Sequence, residues 1–508
     1  MSRESPRVAI RADASVALGF GHIKRCISLG QALVACGAQV RFLTRKLGVS
    51  LDAYGQYPGI GFSHLAGFAD DDFTWQADAR ACVESLADWR PDWVVVDHYG
   101  LDADWHRHLA GNLGARICAI DDLGDRDIEA DVLLDQNPSA DHAQKYRGRI
   151  AARTTLLGGP RFAMLAPGYA TASHAPIDDV VASIGIFMGG TDARDLSSIA
   201  LRACREHAGF RGVIEIATTQ GNPHLAGLRK LVQSSGDTRL SIDLPDLAAF
   251  FGRHGLQIGA GGGATWERCA VGAPSIGLLA AENQRVVLPF LAEQGALEFF
   301  EPAGGDFARE LGALVCATLA DPVRRAGLAA RALALVDGHG ARRVAIRLLA
   351  DTLTLRDAVI TDAEAMLAWR NHAETRKFST NSKEIGLQEH LRWFRGVLDD
   401  AARPTYIAKV GSADVGVVRF DVSQQVAQVS LYLDPLLHGI GLGTRMLACA
   451  EARVAGSMNI ASFEARVLGE NARSRSLFES AGYRFEGESA RKAAIPLASG
   501  ERENNVHR

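Results

Sequence analysis

The fold of the first part of this chain is decided by the stretch Val8-Ala-Ile-Arg-Ala-Asp-Ala-Ser-Val-Ala-Leu-Gly-Phe-Gly-His-Ile-Lys-Arg-Cys26. Its apolar start predicts a strand, and the apolar residues that recur from Ile23 onward predict a helix. Between them, glycine lets the backbone turn sharply and leaves room for a substrate against the main chain. His22 is therefore expected in the first helical turn, where the helix dipole favours a neutral imidazole. Such a ring can act as a general base, and the alternative is a histidine that caps or packs beneath the loop.

The spacing differs from that of a dinucleotide-binding fingerprint, because Lys24 stands where a third glycine is required. The pattern Arg11-x-Asp13-x-Ser15-x3-Gly19-x-Gly21-His22-x2-Arg25 instead resembles the N-terminal signature of UDP-2,4-diacetamido-2,4,6-trideoxy-β-L-altropyranose hydrolases. These enzymes act in pseudaminic acid synthesis and are similar in fold to a GT-B glycosyltransferase. The resemblance implies that His22 activates water and that the substrate is contacted by Asp13, Gly21 and Arg25.

The whole chain has the size and composition of a multidomain enzyme. Its 508 residues are enough for about three domains, and a net charge of -4 gives no basic surface for nucleic acid. Its 8 cysteines include no Cys-x-x-Cys pair, so neither a zinc site nor a disulfide framework is expected. No signal-peptide pattern and no run of about 18 apolar residues is found, which predicts a cytoplasmic protein without membrane insertion. The oligomeric state is left open.

Strand and helix patterns alternate over residues 1–168 and predict a Rossmann-like domain with a parallel sheet. Polar residues follow three predicted strands, where ligands of such sheets bind, and they suit a sugar rich in hydroxyl and amide groups. These groups are Asp97-His98-Tyr99, Asp121-Asp122 and Asp135-Gln136-Asn137. The first group is assigned to the substrate, whereas the two aspartates of the second have the alternative of capping the next helices.

A second Rossmann-like domain, residues 177–350, carries the nucleotide motif. Its turns Gly189-Gly190 and Gly261-Gly262-Gly263 place bare backbone amides between strand and helix, where a diphosphate can bind without a metal. Glu267 follows the second turn as the acidic residue does in the UDP clamp of GT-B enzymes, which the motif resembles. We expect Glu267 to bind ribose hydroxyls, and the alternative is stabilisation of the helix N-terminus. Asn283 and Gln284 complete the predicted UDP site.

A composition shift opens a third domain, residues 353–487. Its glycine loop, His438-Gly-Ile-Gly-Leu-Gly-Thr444, runs into a helix and resembles the pyrophosphate loop of GNAT N-acetyltransferases. The element Asn471-x5-Leu477-Phe478-x3-Gly482-Tyr483 resembles the closing element of the same family. The resemblance implies an α+β acetyltransferase with acetyl-CoA as co-substrate. The cofactor residues that it implies are Gly439, Gly441, Gly443, Thr444 and Asn471.

Three smaller predictions concern this domain. Thr361 and Glu364 have the spacing of a capping box. Phe478 stands where the family often has the tyrosine that protonates the leaving thiolate, so that proton has to come from water or another group. Glu464 and Tyr432, beside an expected β-bulge, are the candidates for handling the amine proton. Residues 488–508 are predicted to be a polar tail.

Together these motifs predict two Rossmann-like domains in a GT-B arrangement, followed by a GNAT domain. The resemblances imply a bifunctional enzyme that acetylates a 4-amino UDP-sugar and then hydrolyses the product to free sugar and UDP. Without them, the residues indicate a nucleotide-sugar enzyme with an activating histidine, joined to an acyl-CoA transferase. The alternatives are a GT-B glycosyltransferase with a UDP-sugar donor and, for the third domain, a non-catalytic acyl-CoA-binding scaffold.

Overall fold

The computed structural model describes residues 5–15, 20–48, 57–65, 73–301, 305–379 and 381–494. The chain divides into two compact units, one formed by Arg7–Val34 with Gln39–Val344 and the other chiefly by the residues from Ala345 onward. The first unit holds two parallel sheets and the second holds one mixed sheet, which confirms the predicted fold class. In the described ranges, no helix is long and apolar enough to cross a bilayer.

The first sheet consists of seven parallel strands. They are β1 (Arg7–Ala12), β2 (Gln39–Thr44), β3 (Ile60–His64), β4 (Trp93–Asp97), β5 (Arg116–Ile120), β6 (Val132–Asp135) and β7 (Thr155–Gly158). Their order is β3-β2-β1-β4-β5-β6-β7. Because the order reverses between β1 and β4, the carboxyl ends of these two strands flank the crevice in which such sheets bind ligands.

In the described part of this region four helices accompany the sheet: α1 (Gly21–Ala35), α2 (Trp75–Leu86), α3 (Ala103–Leu113) and α4 (His142–Lys145). Side-chain caps set three of their starts, those of α2, α3 and α4. The hydroxyl of Thr74 accepts the backbone N–H of Ala77, and the carboxylate of Asp102 accepts that of Asp104. Gly114, with φ 67°, ends α3 in the left-handed conformation that glycine adopts without strain.

The second sheet consists of six parallel strands in the first unit. They are β8 (Ser183–Phe187), β9 (Val213–Thr218), β10 (Thr238–Ile242), β11 (Leu256–Ala260), β12 (Ser275–Leu278) and β13 (Glu298–Phe300). Their order is β10-β9-β8-β11-β12-β13, so a second crevice lies between β8 and β11. β8 starts at Ser183, and Val180, at the start of the same apolar run, lies outside the sheet and is 79% exposed.

Eight helices follow the strands of the second sheet. They are α5 (Leu196–Arg202), α6 (Leu225–Ser234), α7 (Ala248–Arg253), α8 (Ala264–Val271), α9 (Val287–Glu293), α10 (Phe307–Ala320), α11 (Pro322–Leu335) and α12 (Gly340–Leu348). The last two helices are separated by residues 336–339, and the chain also breaks at Asp321, whose carboxylate caps α11.

The mixed sheet of the second unit has seven strands. They are β14 (Leu353–Asp357), β15 (Thr405–Val410), β16 (Ala413–Ser423), β17 (Val426–Leu433), β18 (Ser462–Arg466), β19 (Arg484–Glu486) and β20 (Ser489–Ala493). The order is β14-β15-β16-β17-β18-β20-β19, and only β17 and β18 run parallel. Its helices are α13 (Ala363–Asn371), α14 (Ala373–Arg376), α15 (Leu387–Leu398), α16 (Gly443–Ser457) and α17 (Ala472–Ser480).

Three local predictions for this unit are wrong. Thr361 does not start a capping box, because it lies inside a short 3-10 helix whose first free amide, on Val359, donates to Asp362. The polar tail does not begin at residue 488, since β20 pairs with β18 and satisfies its backbone groups there. The register shift lies between β15 and β16 and not beside Tyr432. Instead, β17 pairs with β18 only over residues 426–429, so Tyr432 lies past the paired part.

Candidate active sites

His22 lies in the first turn of α1, as predicted. Its Nδ1 is 2.7 Å from Oδ1 of Asp97, the last residue of β4. Nη2 of Arg25 also lies 3.2 Å from Nδ1, but the contact with the Asp97 carboxylate is much shorter, and a carboxylate only accepts hydrogen bonds. Nδ1 therefore carries the proton, and the lone pair of the neutral ring lies on Nε2. Among the residues that the structure describes, none is hydrogen-bonded to Nε2. His22 and Asp97 thus form a carboxylate–imidazole pair whose outer nitrogen can take a proton.

Asp97 is fully buried, and both of its oxygens have partners. Arg25 donates from Nε to Oδ2 and from Nη2 to Oδ1, each over 2.6 Å. Burial alone would raise the pKa of Asp97, but the Arg25 guanidinium and the His22 ring outweigh it and hold this pKa well below its ordinary value. Asp97 therefore orients His22 and does not offer a free oxygen to the sugar, which corrects its predicted role.

A second buried network surrounds Arg11 of β1. Its guanidinium donates to the carboxylates of Asp13 and Asp78, and these three side chains are fully buried. Asp13 also accepts from the backbone and side chain of Arg45. Burial opposes the charged form, yet Arg11 and Arg45 lower the pKa of Asp13. Both carboxylate oxygens of Asp13 thus accept hydrogen bonds from protein groups, which does not agree with the predicted substrate contact. Asp78 was missed because its sequence context does not differ from that of an exposed helical aspartate.

A small cavity brings together most of the predicted residues of this half, without Gly21 and Arg25. It is lined by Asp13, His22, Asp97, His98, Tyr99 and Gly100. The Tyr99 ring meets the His22 ring edge-on, with 5.0 Å between centroids, and the Tyr99 hydroxyl donates to Asp122 over 2.7 Å. Burial, reinforced by the Asp122 charge, raises the pKa of Tyr99 above its ordinary value, so the hydroxyl stays protonated at neutral pH.

The other strand-end carboxylates have mainly structural partners. Asp121 pairs with Arg126, and Asp135 pairs with Lys145, each over 2.7 Å. Asp122 differs, because it is the acceptor of the tyrosine hydroxyl at the cavity. The alternative reading of Asp121 as a structural residue is therefore favoured, although its carboxylate accepts from the turn amide of Gly124 and does not cap a helix.

The first glycine turn of the second sheet does not lead into an open helix N-terminus. Helix α5 starts only at Leu196, and the amides of Leu196 and Ser197 donate to the carboxylate of Asp192 over 2.9 and 3.0 Å. An internal anion therefore occupies the position that the sequence assigned to a diphosphate. The amides at the start of α5 are therefore not available to a diphosphate, and a contact through Gly189 and Gly190 themselves stays a prediction.

The second glycine turn is open. Gly262 and Gly263 are exposed and directly precede α8. The amide of Gly261 donates instead to Oε1 of Gln284, which also accepts from Ala280. The Gln284 oxygen thus links the turn to the end of β12. It is therefore not available for the UDP contact that the sequence predicted. The side chain of Asn283 lies outside the described residues.

Arg268, which sequence reasoning missed, lies in α8 beneath this turn. Its Nη2 donates to the carbonyl of Ala260 and to the hydroxyl of Thr265. A Cβ at Gly259 would lie 2.4 Å from Arg268 Nη1, so this strand position must be glycine to admit the guanidinium. Burial lowers the pKa of Arg268 to about 10, which leaves it a cation at neutral pH. The turn is thus underlain by a buried positive charge.

Glu267 lies in the first turn of α8, as predicted. Its carboxylate is hydrogen-bonded to Tyr169, and within the described part of the chain its Oε2 is buried without a partner. Burial raises the pKa of Glu267, and the charge of Lys24 in α1 offsets this only in part. A buried oxygen without a partner is what a ribose hydroxyl would satisfy.

In the second unit, the predicted glycine turn followed by a helix is present. Gly439 and Gly441 have φ of 78° and 84°, a conformation in which other residues are strained. A Cβ at Gly443, the first residue of α16, would lie 2.3 Å from Cδ1 of Leu477. Thr444 follows, and its hydroxyl lies 3.3 Å from that of Ser480. The local geometry thus requires glycine at three positions.

Asn471 has a structural role that the sequence did not predict. Its side-chain oxygen accepts the backbone N–H of Ser474 over 3.0 Å and caps α17. Only its amide nitrogen is left for a cofactor.

The two proton-transfer candidates of this unit differ in how strongly their side chains are already hydrogen-bonded. Glu464 is bound by Arg491, with 2.6 Å between Oε1 and Nε. Tyr432 makes one long hydrogen bond, 3.5 Å, to the carbonyl of Met366. Burial raises the pKa of Tyr432 above its ordinary value, and nearby arginines offset this only in part. Phe478 is buried and offers no proton. Tyr432 is therefore the better candidate for a proton donor.

The fold and glycine turn of the second unit define an acyl-CoA-dependent N-acetyltransferase. A family model described as an acetyltransferase (GNAT) domain matches residues 352–484. The putative phosphinothricin acetyltransferase YwnH of Bacillus subtilis is 30% identical over 139 residues, 26% of this chain and 83% of that protein. Through this part the chain belongs to the GNAT acetyltransferase family, and acetyl-CoA is its co-substrate.

Two proteins of Campylobacter jejuni are also similar. Acetyltransferase PseH is 27% identical over 81 residues, 16% of this chain and 51% of PseH, so the match spans about half of that protein. UDP-2,4-diacetamido-2,4,6-trideoxy-beta-L-altropyranose hydrolase is 25% identical over 289 residues, 57% of this chain and 97% of the hydrolase. The chain therefore joins a hydrolase-like part to a GNAT part, as the motifs predicted. The described residues contain no cluster of three or more histidine, cysteine or acidic side chains that could hold a metal ion.

Proposed function

We propose that the first unit hydrolyses UDP-2,4-diacetamido-2,4,6-trideoxy-β-L-altropyranose to the free sugar and UDP. Nε2 of His22 takes a proton from water while the water oxygen bonds to the anomeric carbon. The bond from that carbon to the β-phosphate oxygen breaks, and its electron pair leaves with UDP. Asp97 holds the ring through Nδ1 and stabilises the imidazolium that forms. The observation that carries this proposal is the His22–Asp97 pair at the cavity.

UDP is bound, in this proposal, at the turn before α8. The exposed Gly262 and Gly263 bring the diphosphate to the helix N-terminus, where backbone amides bind anions. The buried guanidinium of Arg268 adds positive charge beneath the turn, so the diphosphate is bound without a metal. The buried oxygen of Glu267 accepts the ribose hydroxyls. His98 and Tyr99 line the cavity in which the water meets the anomeric carbon, at the other sheet of the unit.

The second unit, we propose, acetylates the 4-amino group of UDP-4-amino-4,6-dideoxy-N-acetyl-β-L-altrosamine. The pyrophosphate of acetyl-CoA binds the turn at Gly439, Gly441 and Gly443 and the start of α16 at Thr444. The amine nitrogen bonds to the acetyl carbon, and the C–S bond breaks with its electron pair on sulfur. The leaving thiolate takes a proton from Tyr432, and the proton that the nitrogen loses returns to the Tyr432 oxygen. Tyr432 suits this role because burial keeps its hydroxyl protonated and β17 is unpaired with β18 beside it.

The two reactions are consecutive, since the acetylated UDP-sugar is the substrate of the hydrolase. Both use substrates of the cytoplasm, acetyl-CoA and UDP-sugars, and we place the enzyme there.

Turnover of the 4-amino UDP-sugar in water enriched in oxygen-18 tests both halves. With acetyl-CoA, we expect the free diacetamido sugar, labelled at its anomeric oxygen, and unlabelled UDP, both measured by mass spectrometry. Without acetyl-CoA, but with the diacetamido UDP-sugar supplied directly, the same products are expected. Label in UDP would mean attack at phosphorus and would refute the role of His22. UDP release that requires an added sugar acceptor would instead identify a glycosyltransferase.

A further inference from the structure

His98 follows β4 directly and lines the same cavity as His22. The backbone N–H of Gly100 donates to Nδ1 of His98, with 3.0 Å between the two nitrogens. Since a ring nitrogen that accepts a hydrogen bond carries no proton, the neutral ring of His98 bears its proton on Nε2. His22 has the opposite tautomer, because its Nδ1 donates to Asp97. The two histidines therefore offer a donor and an acceptor nitrogen at one cavity.

The ring of His98 is held in this orientation by its neighbours. Phe73 packs against it, with 5.0 Å between ring centroids and 40° between planes. A Cβ at Gly100 would lie 3.0 Å from Cε1 of His98, so the ring and the turn fit closely. The side chain of His98 is only 13% exposed. Its Nε2 is thus fixed in place and does not sample many rotamers.

The charged groups around His98 keep it neutral. Burial and the Arg11 guanidinium lower its pKa, Asp13 and Asp78 act in the opposite direction, and Arg45 lowers it further. The resulting pKa is about 4. His98 is therefore a neutral hydrogen-bond donor throughout the neutral pH range.

No described residue accepts a hydrogen bond from Nε2 of His98. Oδ2 of Asp13 lies 3.7 Å from this nitrogen, too far for a hydrogen bond, and already accepts from Arg11 and Arg45. Nε2 of His98 is not enclosed by protein atoms, and its N–H opens to the cavity that His22 also lines. A water molecule in this cavity can accept from His98 and donate to His22.

We propose that His98 positions the nucleophilic water for His22, an inference that rests on the proposed hydrolase function. The water accepts a hydrogen bond from Nε2–H of His98 through one lone pair and donates one proton to Nε2 of His22. Its second lone pair is left for the anomeric carbon. During the attack the new C–O bond forms, the bond to UDP breaks with its electron pair on the phosphate oxygen, and the proton passes to His22. His98 keeps its own proton throughout.

A double-mutant cycle tests whether the two histidines act on one water. We expect His98→Leu to lower kcat for the diacetamido UDP-sugar about 10- to 100-fold, with KM and UDP affinity nearly unchanged. His98→Gln should recover most of this loss, because its amide N–H reaches the position of Nε2. In a His22→Asn background, where the water is no longer activated, His98→Leu should cost less than about 3-fold.

Equal losses from His98→Leu in the wild-type and His22→Asn backgrounds would overturn the inference. So would an increased KM with unchanged kcat, because that result would place His98 on the sugar and not on the water. A wild-type protein that fails to hydrolyse the UDP-sugar would refute the proposed function itself, which is a distinct outcome.

The tautomer can be measured without any turnover. In the full-length protein labelled with nitrogen-15 in histidine, the ring signals of His98 are assigned by their loss in His98→Gln. We expect the chemical shifts of a ring protonated at Nε2, and those of a ring protonated at Nδ1 for His22. A His98 ring protonated at Nδ1 would refute the inference even if the His98→Leu variant were inactive or unstable.

Discussion

The hydrolase-like site of the first unit and the cofactor site of the second unit are made from different parts of the polypeptide. Around His22 the function depends on buried side chains, because Asp97 and Arg25 fix the tautomer and position of one ring. In the second unit the site is made of main chain, and Gly439, Gly441 and Gly443 are the residues that its geometry requires. Moving a proton needs one oriented base, whereas binding a pyrophosphate needs uncrowded backbone amides.

The two sites should therefore tolerate different kinds of substitution. A change of side-chain chemistry should disable the first site while its backbone stays intact. The second site should instead be sensitive to the addition of any side chain at its glycines. Because the two sites are in separate compact units, each can serve as the internal control for the other.

The largest effect is expected from His22→Asn. Removing the base should lower kcat of the hydrolase about 10²- to 10⁴-fold, the usual contribution of general-base catalysis. UDP affinity, measured by calorimetry, should hardly change, because UDP is bound at the other sheet of the unit. Acetyl transfer should be unaffected, and His64→Asn, a change at an exposed histidine of β3, is the matched control. Near-normal turnover of His22→Asn would return His22 to a structural role.

The next effect concerns the glycine turn of the second unit. Gly443→Leu should abolish acetyl-CoA binding in calorimetry, because even a Cβ at this position meets Leu477 at 2.3 Å. Gly441→Val should do the same through strain at φ 84°. Gly469→Ala is the control, since nothing lies within 4 Å of a Cβ there and its φ is not in the left-handed region. Retained binding in both turn variants would show that the cofactor does not use this turn.

A smaller effect is expected where a side chain and a glycine turn cooperate, at Glu267. Glu267→Ala should weaken UDP binding by about 1.5–3 kcal/mol, the contribution of a hydrogen bond to a charged group. Glu282→Ala, which removes a carboxylate whose side chain is 83% exposed, should leave UDP affinity unchanged. Acetyl transfer should be normal in both variants. Equal UDP affinities for the two variants would leave Glu267 only the role of stabilising α8.

The smallest effect concerns His254, a buried histidine of the first unit outside its catalytic network. Burial lowers the pKa of His254 to about 4, against the opposing charge of Glu215. The unfolded chain thus takes up this proton near pH 6.5, before the folded protein does, and the stability present above pH 6.5 is lost as the pH falls toward 4. Between pH 7.5 and 5.5 this loss is about 1 kcal/mol.

His254→Gln isolates this contribution from the other titrating groups. The difference between its free energy of unfolding and that of the wild type, measured in urea, should shrink by about 1 kcal/mol from pH 7.5 to 5.5. Hydrolase turnover should be unchanged. A difference that stays constant with pH would mean that His254 is not held neutral by burial.

Most of the fold could be predicted because central strands are apolar runs bounded by turns. The strands that were missed are short or lie near sheet edges, such as β3, β7 and β13, where few apolar residues are needed. The strand β20 was missed for a related reason. Its sequence Ser-Ala-Arg-Lys-Ala is polar, and only pairing with β18 makes it a strand.

The sequence predicted the glycine turns of the sites but not the partners of their charged side chains. A glycine turn is a local property, so the turns before α8 and α16 could be found from the sequence and assigned through their resemblance to known motifs. The partners of a charged side chain are not local, and the links from Asp97 to His22 and from Asp192 to the start of α5 could not be found in this way.

By itself, the sequence determined the class of each part of this protein, the position of His22 at a helix start and the glycine turns for two ligands. Only the tertiary structure decided which groups remain available. It places Asp13 and Asp97 in buried ion pairs, occupies one helix N-terminus with Asp192, and leaves His22 and His98 at one cavity. The physical reason is that motifs depend on backbone conformation over a few residues, whereas burial and pairing depend on residues distant in sequence.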